Sequence, residues 1–148
     1  MIAVIQRVIN GKVTINGSVF SEIGQGYVVF LGIYQDDNEN DVNKLTDKLV
    51  NLRVMSDEEK KMNRSIVDTK GEILLVSQFT LCADVSDGRR PSFINAKKPD
   101  EAKKLYELMV QKMKEKNIPV KTGEFGAYME VKIINDGPVT IIVDSKNI

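Results

Sequence analysis

The sequence predicts an α+β fold with a mainly antiparallel sheet and two main helices. Three observations carry this. Strand-like segments open the chain, helical segments are inserted after them, and strand-like segments close it. Asn16-Gly17, between two apolar-patterned runs, is a hairpin dipeptide. Neither G-x-G-x-x-G nor G-x-x-x-x-G-K-[ST] occurs, so a nucleotide-binding α/β fold has no support. With 148 residues and no internal repeat, low-complexity run or Pro/Gly linker, residues 1–148 are expected to form a single domain.

The elements follow in order. Ile2, Val4 and Val8 lie in an extended apolar segment, and Gly11 reads as a turn after it. Val13, Ile15, Val19 and Phe20 carry the hairpin around Asn16-Gly17. Tyr27 to Ile33 is a continuous apolar run, the pattern of a strand buried on both faces. Val42, Leu45, Leu49 and Leu52 recur at helical spacing, preceded by Asn38, Asn40 and Asp41 as capping candidates. Glu72 to Gln78 reads as a buried strand. The second helix starts at Pro99-Asp100-Glu101, with proline at an entry position and acids in the first turn. Ala102, Leu105, Tyr106, Met109 and Met113 form its apolar stripe, and Lys112, Lys114 and Lys116 oppose the dipole at its end. Met129, Val131 and Ile133 alternate with Glu130, Lys132 and Ile134, and Val139 to Val143 is a last apolar run. Gly137-Pro138 between these two runs reads as a turn, and its peptide bond is open to either isomer.

Composition excludes more chemistry than it suggests. There is no histidine, which removes Ser-His-Asp and Cys-His nucleophilic sites and imidazole-based zinc sites. Cys82 is the single cysteine, so no internal disulfide or thiolate cluster can form. No metal and no cofactor are expected. The opening MIAVIQRV lacks the layout of a secretory signal, and the most apolar stretch, Tyr27 to Tyr34, is too short to span a bilayer. A cytoplasmic location without membrane contact is the default expectation. Lys plus Arg equals Asp plus Glu at 21 each, yet Arg89 to Lys121 holds ten basic and four acidic residues, net +6. Such a segment is either a solvated helix face or a phosphate-contacting patch.

Two segments look chemical. Ser77-Gln78-Phe79-Thr80 places hydroxyls and an amide at the end of an otherwise apolar strand. These groups can serve the backbone of a strand edge or a reaction. A nucleophilic Ser77 or Thr80 would need a base, and histidine is absent. The second segment is Asn135-Asp136-Gly137-Pro138-Val139-Thr140, with its Gly-Pro dipeptide.

Together these segments resemble the D-aminoacyl-tRNA deacylase family. The likeness extends to Ile5-Gln6-Arg7-Val8, to Gly88-Arg89-Arg90-Pro91-Ser92-Phe93 and to Gly123-Glu124-Phe125-Gly126-Ala127-Tyr128-Met129. The order of these segments agrees over essentially the whole chain. The resemblance implies a barrel-like β core with the helices outside, and a cytosolic homodimer with active sites at the interface. It implies hydrolysis of the ester joining a D-amino acid to the 3′-terminal adenosine of tRNA, without metal, with L-aminoacyl-tRNA rejected. Ser77, Gln78, Phe79 and Thr80 would line the scissile ester and supply backbone N–H donors. Gly137-Pro138, cis in the family, would reach into the partner's site, where its carbonyls hold the substrate amino group, and Asn135 would be a further substrate-binding residue. Phe125 and Met129 would contact the terminal adenine, and Arg89 and Arg90 the tRNA backbone. Two other readings use the same features: a non-catalytic tRNA-binding module, and an esterase for small D-amino acid esters.

Overall fold

The computed structural model describes residues 1–148. Its strands are β1 (Ile2–Ile15), β2 (Ser18–Ile23), β3 (Gly26–Gly32), β4 (Met55–Ser56), β5 (Met62–Arg64), β6 (Glu72–Ser77), β7 (Val120–Thr122) and β8 (Glu130–Asp144). Its helices are α1 (Glu39–Asn51), the one-turn α2 (Ile66–Thr69) and α3 (Pro99–Glu115). The main sheet runs β2-β1-β3-β6-β7, and β8 pairs with β1 along both of its halves. The result is a nearly closed, barrel-like sheet with helices packed around it.

Local chemistry accounts for most boundaries. The β1–β2 hairpin turns at Asn16 and Gly17, with φ of 50° and 77°, a conformation that Asn and Gly tolerate best. Asn38 caps α1 by accepting from the Asn40 N–H at 2.9 Å, while the Asp41 carboxylate accepts from the Asn38 N–H at 3.0 Å. Pro99 opens α3, followed by Asp100 and Glu101, and Lys112 and Lys114 lie in its last turn.

Alternation along two strands builds two cores. Tyr27, Val29, Leu31, Ile73 and Leu75 face α1 and α3 in a 22-residue cluster. Val28, Leu74 and Val76 point the other way, into the barrel, with Val8, Val13 and Ile23. The continuous apolar runs therefore belong to strands covered on both sides, as their sequence predicts.

One expectation needs a refinement and two need correction. The sheet is mainly antiparallel, as expected, through β1–β2, β1–β3 and β1–β8, but β3–β6 and β6–β7 are parallel pairs. Helices α1 and α3 lie in the long connections that parallel neighbours require. Gly11 does not turn the chain but sits inside β1, where a Cβ would lie 2.6 Å from Val28 Cγ2. Its role is close packing inside the barrel. Gly137-Pro138 does not reverse the chain either. Strand β8 continues through it, and the ladder with β1 breaks register between Gln6 and Val8 to absorb the extra residues.

Candidate active site

A cavity of about 650 Å³ opens at the end of β6. That volume falls in the range of small-molecule sites. Ser77, Gln78 and Phe79 form one wall, Phe125 and Met129 another, and Lys98 and Pro99 at the start of α3 a third. Five sequence-predicted site residues, from segments some 50 positions apart, thus share one cavity.

Each is placed by an identifiable local cause. Strand β6 ends at Ser77, and the Gln78 N–H donates to Leu31 O at 2.8 Å, so that amide is occupied. A short 3₁₀ turn follows over Phe79–Cys82. Its first amides, those of Phe79 and Thr80, have no acceptor within the turn. These two amides are the free backbone donors of the segment. The Gln78 side-chain amide donates to the Thr80 hydroxyl. Thr80 itself is exposed and lies outside the cavity wall. Its hydroxyl makes no hydrogen bond to a titratable side chain that could act as a base. Phe79 packs edge-on against Phe93 with ring centroids 4.9 Å apart. Cys82 is buried, and burial followed by the nearby Asp37 carboxylate pushes its thiol up to about 11, so it is no nucleophile.

Phe125 and Met129 each have a double position. The Phe125 ring lies 5.6 Å from that of Tyr106 and joins the margin of the helix-side core while lining the cavity. Met129 packs against the barrel core, and Gly123 makes room for it: a Cβ there would sit 2.7 Å from Met129 Sδ. Beneath them the Tyr106 hydroxyl donates to Leu75 O at 2.7 Å, and burial raises its pKa. Leu75 O also accepts from the Gly123 N–H at 3.0 Å. Tyr106→Phe therefore leaves no orphan acceptor. It should cost about 1 kcal/mol and lower Tm by about 2–4 °C, read by thermal unfolding.

The second predicted segment is elsewhere. Asn135 pairs with Val8, Thr140 with Gln6, and the intervening Gly137-Pro138, a cis peptide, lies exposed opposite Arg7. Ser77 aligns with Leu31 and through it with Ala3. Gly137 is thus three strands and four ladder positions away, about 20 Å along the sheet. Within one chain the Gly-Pro segment does not meet the cavity. Arg89 and Arg90 are exposed at the tip of a loop whose base is closed by paired Asp84 and Ser92 backbone bonds, both at 2.8 Å. They too stand apart from the cavity wall.

Sequence reasoning missed the brace of the Gly-Pro segment. Arg7 is buried; its Nε donates to Asp136 O at 3.1 Å and lies 3.2 Å from the Asp136 carboxylate. Its Nη1 donates to Val54 O at 2.7 Å and to Ser56 Oγ at 3.2 Å. An arginine standing between Ile5 and Val8 in an apolar strand was the available signal. Phe93 and Tyr128 also line or flank the cavity without having been singled out. No group of three or more Cys, Asp or Glu side chains is placed to share a metal ion, and no helix is long and apolar enough to cross a membrane.

These features define an α+β barrel domain with a strand-end cavity, and comparison with known proteins narrows the class. The family described as D-Tyr-tRNA(Tyr) deacylase matches residues 4–144. A D-aminoacyl-tRNA deacylase of Thermoanaerobacter sp. is 58% identical over 148 residues, covering 100% of this chain and 99% of that protein. One from Sulfurihydrogenibium sp. is 53% identical over 148 residues, covering both chains fully at 100%. Among solved structures, the c-Myc DNA Unwinding Element Binding Protein superposes with a TM-score of 0.93 at 41% identity, covering 97% of this chain and 98% of that one. The chain belongs to the D-Tyr-tRNA(Tyr) deacylase family.

Proposed function

We propose that this protein hydrolyses the ester between a D-amino acid and the 3′-terminal adenosine of tRNA and rejects the L-aminoacyl ester. The observation that carries this reading is the shared cavity. In a chain of this family, it gathers Ser77, Gln78, Phe79, Phe125 and Met129 around one volume. Phe125 and Met129 offer an apolar cleft for the adenine, and Ser77 to Phe79, with Thr80 just beyond, border the ester.

In the reaction, a water oxygen bonds to the ester carbonyl carbon, and the bond from that carbon to the ribose 3′-oxygen breaks. The 3′-oxygen takes a proton, and the free D-amino acid leaves. The ester is already activated and carries a neighbouring 2′-hydroxyl, so proton movement needs no side-chain base. The protein contributes position and the Phe79 and Thr80 amides as donors to the developing oxyanion. Thr80→Val keeps shape and amide and removes only the hydroxyl. It should retain single-turnover deacylation within about threefold; a fall of a thousandfold would make Thr80 the nucleophile.

The chiral reader in this proposal is the Gly137-Pro138 backbone of a second copy. Two observations support the homodimer. One chain separates its own Gly-Pro segment from its own cavity by the width of the sheet. And the face that forms the barrel interior at one end stays open at the other. There Val4 pairs with both Phe30 and Ile142, and Gln6 donates to Thr140 Oγ1 at 3.3 Å. Ile142 is 67% exposed on this face, just beyond Gly137-Pro138 on the same strand. A second copy would cover it with the same patch, the self-complementary contact of a twofold dimer. Carbonyls of the Gly-Pro segment would hold the substrate amino group, leaving space for a D side chain and backbone in the path of an L side chain.

The test is hydrolysis of D- and L-tyrosyl-tRNA by the purified protein with chelator present. Rapid loss of the D ester alone is expected. Equal loss of both, or tRNA binding without hydrolysis, would contradict the reading.

A further inference from the structure

Two side chains of the cavity wall have no structural duty. Tyr128 is 93% exposed yet borders the cavity, and its ring joins neither aromatic pair of the chain. Lys98, at the start of α3, caps nothing with its side chain. Its neighbour Lys97 is committed: Nζ donates to Gln35 O at 2.6 Å and lies 3.8 Å from Glu101. Lys98 is exposed in the same wall and takes part in no ion pair.

The turn that carries Tyr128 sets two aromatic rings three residues apart. The Ala127 N–H donates to Glu124 O at 3.2 Å, and Gly126 takes a φ of 79°. Phe125 is thereby directed inward against Tyr106, while Tyr128 is left outside at the cavity mouth. An inner ring, an outer ring and a free cation around one cavity match the repeat of a single strand of RNA: base, phosphate, base. Aromatic side chains act as stacking platforms for successive bases, and lysine replaces counterions at the linking phosphate.

We infer that Tyr128 and Lys98 form an outer subsite for the nucleotide preceding the terminal adenosine. Tyr128 stacks on that nucleotide's base, and Lys98 faces the phosphodiester joining it to the adenosine. This rests on the reading of the inner cavity as the adenosine site. It makes the enzyme sensitive to substrate length, because an aminoacyl-adenosine reaches the inner site only.

The experiment compares two D-tyrosyl esters, one of adenosine and one of a CCA trinucleotide, by kcat/KM. Wild type should favour the trinucleotide. Tyr128→Ala should lower kcat/KM for the trinucleotide by about five- to hundredfold, through KM, and leave the adenosine ester unchanged within about twofold. Tyr128→Phe should restore the preference. Lys98→Gln should lower the slope of log kcat/KM against log salt by about one for the trinucleotide alone. Equal effects of Tyr128→Ala on both esters, or none on the trinucleotide, overturn the subsite. So does a dimer that dissociates in Tyr128→Ala, which would make Tyr128 a subunit contact. Wild-type hydrolysis of the adenosine ester with no gain from the trinucleotide overturns the subsite but not the deacylase. Hydrolysis of neither overturns both.

Discussion

Gly137→Ala is expected to lower single-turnover deacylation of D-tyrosyl-tRNA by about a hundredfold while the protein stays folded. Gly137 has a φ of 127°, where L side chains are strained. An added Cβ would lie 2.9 Å from Val139 Cγ2, 3.0 Å from the Val139 nitrogen and 3.2 Å from Arg7 Nη2. Two of these neighbours are fixed, since Val139 N is backbone and Arg7 is held by several bonds. The segment must therefore shift, and with it the carbonyls assigned to the substrate amino group. Because Gly137 is exposed, the shift costs function more than stability. The same assay with L-tyrosyl-tRNA checks discrimination, which should narrow. Activity close to wild type would remove Gly137-Pro138 from the site.

Arg7→Met should be the most destabilising single change near the site. Methionine keeps the apolar stem but abandons Val54 O, Ser56 Oγ and both the carbonyl and the carboxylate of Asp136. Leaving buried partners of a charged group unpaired costs about 2–4 kcal/mol. For a domain of this size that is a fall in Tm of about 5–15 °C. Deacylation should fall as well, because the residue before Gly137 loses its anchor. Thermal unfolding and single-turnover kinetics at a temperature below the variant's transition separate the two effects. An unchanged Tm would show that Arg7 is a spectator of this segment.

How far the sequence carries can be judged from these same residues. The helices were legible because Val42, Leu45 and Leu49, or Tyr106, Met109 and Met113, repeat at helical spacing and end up buried. The parallel pairing of β3 with β6 was not called, although their runs buried on both faces were its signature. Reading Gly-Pro as a turn failed because a strand can absorb such a dipeptide when its partner tolerates a bulge, and pairing is a tertiary property. Gly11 misled in the same way, its glycine serving close packing rather than chain reversal. As for the site, Ser77, Gln78, Phe125 and Met129 are too ordinary as residue types to announce a cavity. Only their family-like segments pointed there. Tyr128 stood only within a family-like segment and Lys98 only within the basic stretch, because an exposed tyrosine and an unpaired lysine acquire individual meaning only from the cavity they border.

The central claim is that each active site joins the cavity of one chain to the Gly137-Pro138 segment of another. Subunit complementation tests it most directly. Ser77→Tyr fills the cavity and Gly137→Ala disturbs the reader, so each homodimer should be nearly inactive. In a heterodimer of the two, one site combines an intact cavity with an intact Gly-Pro segment and the other carries both defects. Random exchange of the mixed variants should therefore restore about a quarter of wild-type deacylation of D-tyrosyl-tRNA. Heterodimers that form, as shown by mass spectrometry of the intact complex, but remain as inactive as the parents would contradict the shared site.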